Sequence, residues 1–391
     1  MPGTLIAEAA LSPAEAHMWN VGRIGYRRLA KRLGLLALCV LAATQFVGAY
    51  LYLEFPYVDV YRFEHGYERL PFQTRLLTAP LYRWADSNAV LIGYAGRLTR
   101  NTYFFPHGIG ATEVVEFFVD IACVLFAGWV ATAIYRAASR RHLLQPLVFP
   151  LFLVLCVLTY ILHTVQNFRY IYDMPTLAFF AAGLYLIYFR KPVLWFMALF
   201  AVATLNRETT LFLLPLYALS QASRPDPGHG RGAGQLHWQA LLAPSTLAVV
   251  APLALYWAVW HHVVFSIFAH NASEYYARVP YNLHFFTHLR YYPQLFSCLG
   301  FLLPFLFLGR RFVRDAQLRA WLWFIPVWYA FMMVWGVILE TRIFGELLPF
   351  VTAYTAVMAE EWLAARMLRL AAPAAMQEME ERSTLRDRIA A

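Results

Sequence analysis

The sequence predicts an all-α, polytopic membrane fold, and three observations carry that prediction. Of 391 residues, 60% are apolar and only 14% are charged, against about 25% charged in soluble domains. The apolar residues fall in continuous runs without period-2 alternation, the pattern of spanning helices rather than barrel strands. Basic residues, thirty arginines and two lysines, gather at alternate ends of those runs. This excludes a soluble enzyme, a disordered chain and a fibre. It also makes the formal charge of +9 a topology signal rather than a nucleic-acid signal.

Residues 1–32 are polar to mixed, end in Arg23, Arg27, Arg28, Lys31 and Arg32, and read as a cytoplasmic segment without a cleavable leader. The run 33–53 is long enough to stay as an anchor, since about 20 apolar residues cross the hydrocarbon core. A long outer loop, 54–110, follows. In it Phe72, Leu76, Leu77, Leu81 and Trp84 recur at helical spacing around Arg75 and Arg83, and Val90, Leu91, Tyr94 and Leu98 repeat the pattern before Arg100. Both stretches are too short and too charged to cross, so they are expected to lie flat at the membrane interface.

Nine further spans are expected, at 111–137, 143–163, 175–190, 192–206, 209–222, 239–263, 291–309, 319–339 and 346–369. The transmembrane domain is thus 33–369, with ten spans, and 370–391 is a charged cytoplasmic tail. With the N-terminus inside, 21 of the 32 basic residues fall on the inner side, and six of the other eleven sit in the long loop. Ten spans return the C-terminus to the cytoplasm. Cys39, Cys123, Cys156 and Cys298 all lie in apolar runs, without zinc or redox spacing.

On this topology the outer turns carry three polar clusters: His163, Asn167, Arg169 and Asp173; Asn206, Arg207, Glu208 and Thr209; and Glu340, Thr341, Arg342 and Glu346. The long loop adds Glu54, Asp59, Glu64, Glu68 and Arg75. Taken singly, the acids suit helix caps and the arginines suit local ion pairs or snorkelling. Taken together, each short turn breaks the rule against outer arginines and does so beside an acid. Guanidiniums and helix N-termini converging on one cavity form an anion site.

A second feature is the stripe Glu113, Glu116 and Asp120 on one face of the second span. A charge at that depth costs about 2.5–3.5 kcal/mol on the insertion scale, so it must meet a partner or water. It reads as a hydrogen-bonded acid, a wall of the same cavity, or a proton path. His261 and His262 are adjacent and make a poor metal pair, and neither HExxH nor GxSxG is present. Tyr275, Tyr276, Tyr281, Phe285, Phe286, Tyr291 and Tyr292 fit an interfacial aromatic belt.

Transfer of a sugar from a polyprenyl phosphate suits such a site. The lipid phosphate leaves as a stable anion, so the reaction needs one carboxylate to take the acceptor proton and cations to hold the phosphate. Arg169, Arg207 and Arg342 are the candidates for the phosphate. Asp59 is the preferred base, with Glu64, Glu208 and Glu346 as alternatives. Arg75, His163, Asp173, Asn206 and Glu340 complete the expected binding set. No metal or other cofactor is expected.

The layout of a first span, a long acidic outer loop and many spans with short turns resembles the GT-C superfamily of polytopic glycosyltransferases. The likeness covers roughly 33–369. More locally, Asp59, Pro71-Phe72-Gln73-Thr74-Arg75-Leu76-Leu77, Tyr172-Asp173-Met174-Pro175, Asn206-Arg207-Glu208-Thr209 and Arg342-Ile343-Phe344-Gly345-Glu346 resemble bacterial membrane proteins of that group. The resemblance implies a bacterial inner-membrane enzyme that transfers a sugar to a glycan, lipid or protein acceptor, with a first-loop acid, here Asp59, as base. The paired acids or DxD of several such families are absent. Two other readings remain open: a proton-coupled transporter or lipid-linked sugar flippase, and a polysaccharide polymerase or ligase with a lipid-diphosphate donor.

Overall fold

The computed structural model describes residues 13–100, 108–163, 168–223, 237–274 and 276–390. They are mostly helical. Five segments are long and apolar enough to cross a membrane: Leu33–Leu53, Ala111–Ala138, Pro244–Ile267, Ala316–Trp335 and Thr341–Leu368. The chain is built as an integral membrane protein.

The other five expected spans take different forms. Gln145–Tyr160, Asp173–Tyr188 and Val193–Thr204 are shorter apolar helices. The segment expected at 209–222 opens as a 3-10 turn, Glu208–Phe212, before the helix Leu213–Ala222, whose Pro215 sits in the first turn where proline is tolerated. The run 291–309 is broken. Tyr292–Ser297 and Leu303–Leu308 flank Leu299, Gly300 and Phe301, all with φ between 53° and 64°. Left-handed residues cannot continue a right-handed helix, so the apolar run expected here as one span is not one continuous helix.

Two further differences lie near the ends. The helix Pro13–Leu53 starts well before the apolar run, and the helix Leu348–Ala390 continues through the expected tail. In the long loop, residues 72–74 form a 3-10 turn, and the helices Ala79–Ser87 and Ala89–Thr99 follow. Asn88 separates them, its side chain accepting from the Val90 and Leu91 amides.

Thr341–Leu368 is the central element, with 89% of its most apolar window buried inside the protein. Ala111–Ala138 packs against it and against Asp173–Tyr188. Gly128 permits close approach to Gln145–Tyr160, because a Cβ there would meet the Phe149 and Phe152 rings. At one end of the bundle Glu360 anchors the connection before Gln145–Tyr160. Its carboxylate accepts from Tyr135 Oη, from Ser139 Oγ at 2.5 Å and from the Leu143 amide at 2.8 Å.

At the other end the long loop is tied back onto the bundle. Phe55–Pro56 pairs in parallel with Phe168–Arg169, and the Tyr57 amide donates to the Arg169 carbonyl at 3.1 Å. This two-residue pairing, invisible to hydropathy, brings the start of the loop beside the turn that leads into Asp173.

Candidate active site

Asp173 begins the helix Asp173–Tyr188 and is 1% exposed. A carboxylate there complements the partial positive charge of the helix N-terminus. It is also the hub of a buried lattice. Tyr50 Oη donates to its Oδ2 at 3.0 Å, while Arg207 and Arg342 reach its Oδ1 at 3.2 and 3.4 Å. Arg207 also lies 3.4 Å from Glu346 Oε1, which accepts from Thr209 Oγ1 at 2.8 Å. Arg342 bonds Glu340 as well. Four segments distant in sequence therefore meet at one carboxylate.

Tyrosines floor this lattice. The Arg342 guanidinium lies 3.7 Å over the Tyr170 ring, and that of Arg75 lies 4.2 Å over Tyr172. Arg75 grips Glu208 with two donors, Nε at 3.0 Å and a terminal nitrogen. Burial alone would raise the pKa of Glu208; Arg75, with Arg207 nearby, overrides it and holds the carboxyl at about 2. Glu208 is thus a fixed anion and a poor proton acceptor.

Arg75, Arg207, Glu208, Glu340 and Arg342 line one cavity of about 160 Å³. Its other walls are aromatic, among them Tyr57, Phe72, Trp257, Phe331 and Trp335. Trp257 is fixed by its indole N–H, which donates to the Glu208 carbonyl at 2.9 Å.

No protein-family model, curated protein or solved structure matches the chain. What the site can do is therefore argued from its own residues.

Beyond the five that share the cavity, the expected residues fall into four groups. Asp173 and Glu346 sit directly behind its wall, joined to Arg207 and Arg342. Arg169 and Asn206 are buried elsewhere: Arg169 pairs with Glu116 at 3.3 Å, and Asn206 donates to Thr176 at 2.8 Å. His163 lies 3.7 Å from Glu54, whose pKa burial raises to about 7 although Arg342 pulls it down. Asp59 is separate. It caps the helix Val60–Glu64 by accepting from the Arg62 amide, is half-exposed, and does not line the cavity. Capping a short surface helix holds it there. Glu64 is the buried last residue of that helix and is pushed to about 7 by burial, with Asp86 adding to the rise. Asn167 lies outside the described residues.

Of the Glu113, Glu116 and Asp120 stripe, Glu113 bonds the Gly110 amide at the helix start, while Glu116 and Asp120 are 1% and 2% exposed. Among the described residues, Glu116 Oε1 and Asp120 Oδ1 have no hydrogen-bond partner.

The cavity also contains residues that sequence reasoning did not bring together: Trp257, His261, Glu274, Tyr276 and Arg278. Their segment is sewn to the long loop. Asn271 Nδ2 donates to the Gly66 and Glu68 carbonyls at 2.9 and 2.7 Å, and Glu274 accepts from Tyr57 and Arg69. The spacing of Glu274 and Arg278, four residues apart in a non-apolar stretch, was the available signal. Tyr276, expected in an interfacial belt, forms part of the cavity wall.

Proposed function

We propose that the protein is a membrane glycosyltransferase that moves a sugar from a polyprenyl-phosphate donor to a glycan, lipid or protein acceptor, with inversion at the anomeric carbon. The observation that carries this reading is the meeting of Arg75, Arg207 and Arg342 with carboxylates on one aromatic-walled cavity. At about 160 Å³ the cavity is smaller than drug-sized ligand pockets, which run to about 300–1,000 Å³. It suits a head group whose tail stays in lipid. On the expected topology it opens on the outer face of a bacterial inner membrane.

Among the carboxylates lining the cavity, Glu208 is held by Arg75 through both oxygens, and Glu274 is clasped by Arg69 and Tyr57. Glu340 is bonded by Arg342 through Oε2 alone, and its Oε1 is the base in this proposal, where Asp59 was expected. The acceptor hydroxyl gives its proton to Glu340 as its oxygen bonds to the anomeric carbon. The bond from that carbon to the phosphate oxygen breaks, and its electron pair leaves with the lipid phosphate. The preorganised guanidiniums meet the charge that develops there. No general acid is needed, because the leaving group is a stable anion.

The test is release of undecaprenyl phosphate from undecaprenyl-phosphate-linked glucose, mannose and arabinose by protein in nanodiscs supplied with cell-envelope glycan, lipid and protein as acceptors, read by mass spectrometry. Glu340→Gln, whose amide oxygen can still accept from Arg342, should lose about 10²–10⁴-fold, the usual worth of a positioned base, in protein that still unfolds cooperatively. Undiminished turnover in that variant, or no turnover of any donor by the native protein, would overturn the proposal. Proton-coupled transport is the second reading, favoured by the unpaired Glu116 and Asp120 oxygens inside a spanning helix. It requires proton-dependent uptake into vesicles that vanishes in Asp120→Asn.

A further inference from the structure

The arginines that line the cavity are not equivalent. Arg75, Arg207 and Arg342 are 5%, 7% and 5% exposed, and each is hydrogen-bonded to at least one carboxylate. Arg278 differs. The carboxylate beside it is that of Glu274, with Oε2 at 3.9 Å, too far for a hydrogen bond, and its guanidinium lies 4.9 Å over the Tyr276 ring. Glu274 is already bonded by Arg69 at Oε1 and by Tyr57 Oη at Oε2, 3.0 Å away.

The backbone of Arg278, by contrast, is fixed. Its amide donates to the Val334 carbonyl at 2.7 Å, and its carbonyl accepts from the Asn282 amide at 2.8 Å. The residue thus offers a charged side chain, without a hydrogen bond to a described carboxylate, on a fixed backbone at the cavity wall.

The terminal nitrogens of the buried Arg207 and Arg342 are engaged with carboxylates, so turning either guanidinium toward a ligand anion would leave a carboxylate uncompensated, a penalty that offsets the new contact. Recruiting Arg278 breaks no hydrogen bond to a described residue. A guanidinium matches a phosphate with two parallel N–H donors. Arg278 also directly precedes the helix Val279–Phe286, whose first turn carries partial positive charge.

We infer that Arg278 is the residue that takes hold of the phosphate of an incoming phosphate ester, turning away from Glu274 to do so. The buried lattice of Arg75, Arg207 and Arg342 shapes the site and sets its field without giving up its pairs. The phosphate is carried by a lipid, because Tyr281, Leu283 and Phe286 on the adjoining helix are exposed apolar side chains suited to an acyl or isoprenoid chain. The lipid carrier rests on the glycosyltransferase reading; the anion contact does not.

Labelling with phenylglyoxal, an arginine-selective reagent, tests this on the full chain in dodecyl maltoside, with each arginine followed by peptide mass spectrometry. Arg278 should be modified faster than Arg75, Arg207 and Arg342. Dodecyl phosphate should slow that modification about tenfold, the factor expected for one charge-assisted contact, and inorganic phosphate should need far higher concentration for the same effect. Dodecyl phosphate should raise the unfolding temperature of the native protein but not of Arg278→Gln. Modification of Arg278 that neither anion slows, or slower labelling of Arg278 than of the lattice arginines, would overturn the inference. Equal potency of the two anions would overturn the lipid source alone. Protection without sugar release would leave the contact and remove glycosyl transfer, and release without protection would do the reverse.

Discussion

Replacing Arg75 with methionine should destabilise the protein sharply, and in a pH-dependent way. Arg75 is 5% exposed, gives two hydrogen bonds to Glu208, and covers the Tyr172 ring. Methionine keeps much of the apolar contact but strands the carboxylate. Breaking a buried pair from one side costs about 3–5 kcal/mol. The Glu208 carboxyl sits at about 2 in the native protein against an ordinary 4.5, so the pair's contribution is complete above about pH 4.5 and fades as pH falls through about 2. In Arg75→Met burial is opposed only by Arg207 and a backbone hydrogen bond, and the Glu208 pKa rises from its native value. Acid then neutralises the stranded group, and the gap between variant and native protein narrows as pH is lowered from 7 to 4.5. The double variant Arg75→Met/Glu208→Leu should recover most of the loss, since apolar replacement of a buried pair is often neutral. Thermal unfolding of a fluorescent-protein fusion in detergent across this pH range measures all three. A loss below about 1 kcal/mol at pH 7, or a deficit independent of pH, would refute the reasoning.

Three further outcomes follow from the same geometry. Glu360→Ala removes the acceptor for Tyr135, Ser139 and the Leu143 amide; it should cost about 2–4 kcal/mol, and hydrogen exchange at 139–144 should speed up, whereas unchanged exchange would refute the anchoring role. Gly345→Ala drives a methyl into the Tyr160 ring and should cost about 1–3 kcal/mol by overpacking, visible as a lower unfolding temperature. Glu54, raised by burial to about 7 from 4.5, binds its proton more tightly folded than unfolded. Stability should therefore fall as pH rises from about 4.5 to 7, and Glu54→Gln should flatten that slope in the same unfolding assay.

Much of this molecule's character is readable from composition and local pattern. The runs 33–53 and 111–137 correspond to real helices of spanning length, because hydropathy is a sum over neighbours and a helix satisfies its own backbone. The two short helices of the long loop were likewise visible in the spacing of Leu81, Trp84, Val90 and Leu91. Local pattern failed at 291–309, where Leu299–Phe301 adopt left-handed backbone that no apolar count records. Nor could it show that Arg169 pairs with Glu116 and that Asp59 pairs with Arg62 outside the cavity lining.

What the sequence alone determined is an apolar, helical membrane chain whose polar turns set arginines beside acids. What only the tertiary structure decided is which acid each arginine meets. Arg75 pairs with Glu208 across 133 positions and Arg342 with Asp173 across 169, while Asp59 turns to its neighbour Arg62 and Arg278 keeps a guanidinium without a hydrogen bond among the described residues. Hydropathy acts between neighbours in the chain and survives without the fold; ion pairing acts through space and exists only once packing has brought distant turns within about 4 Å.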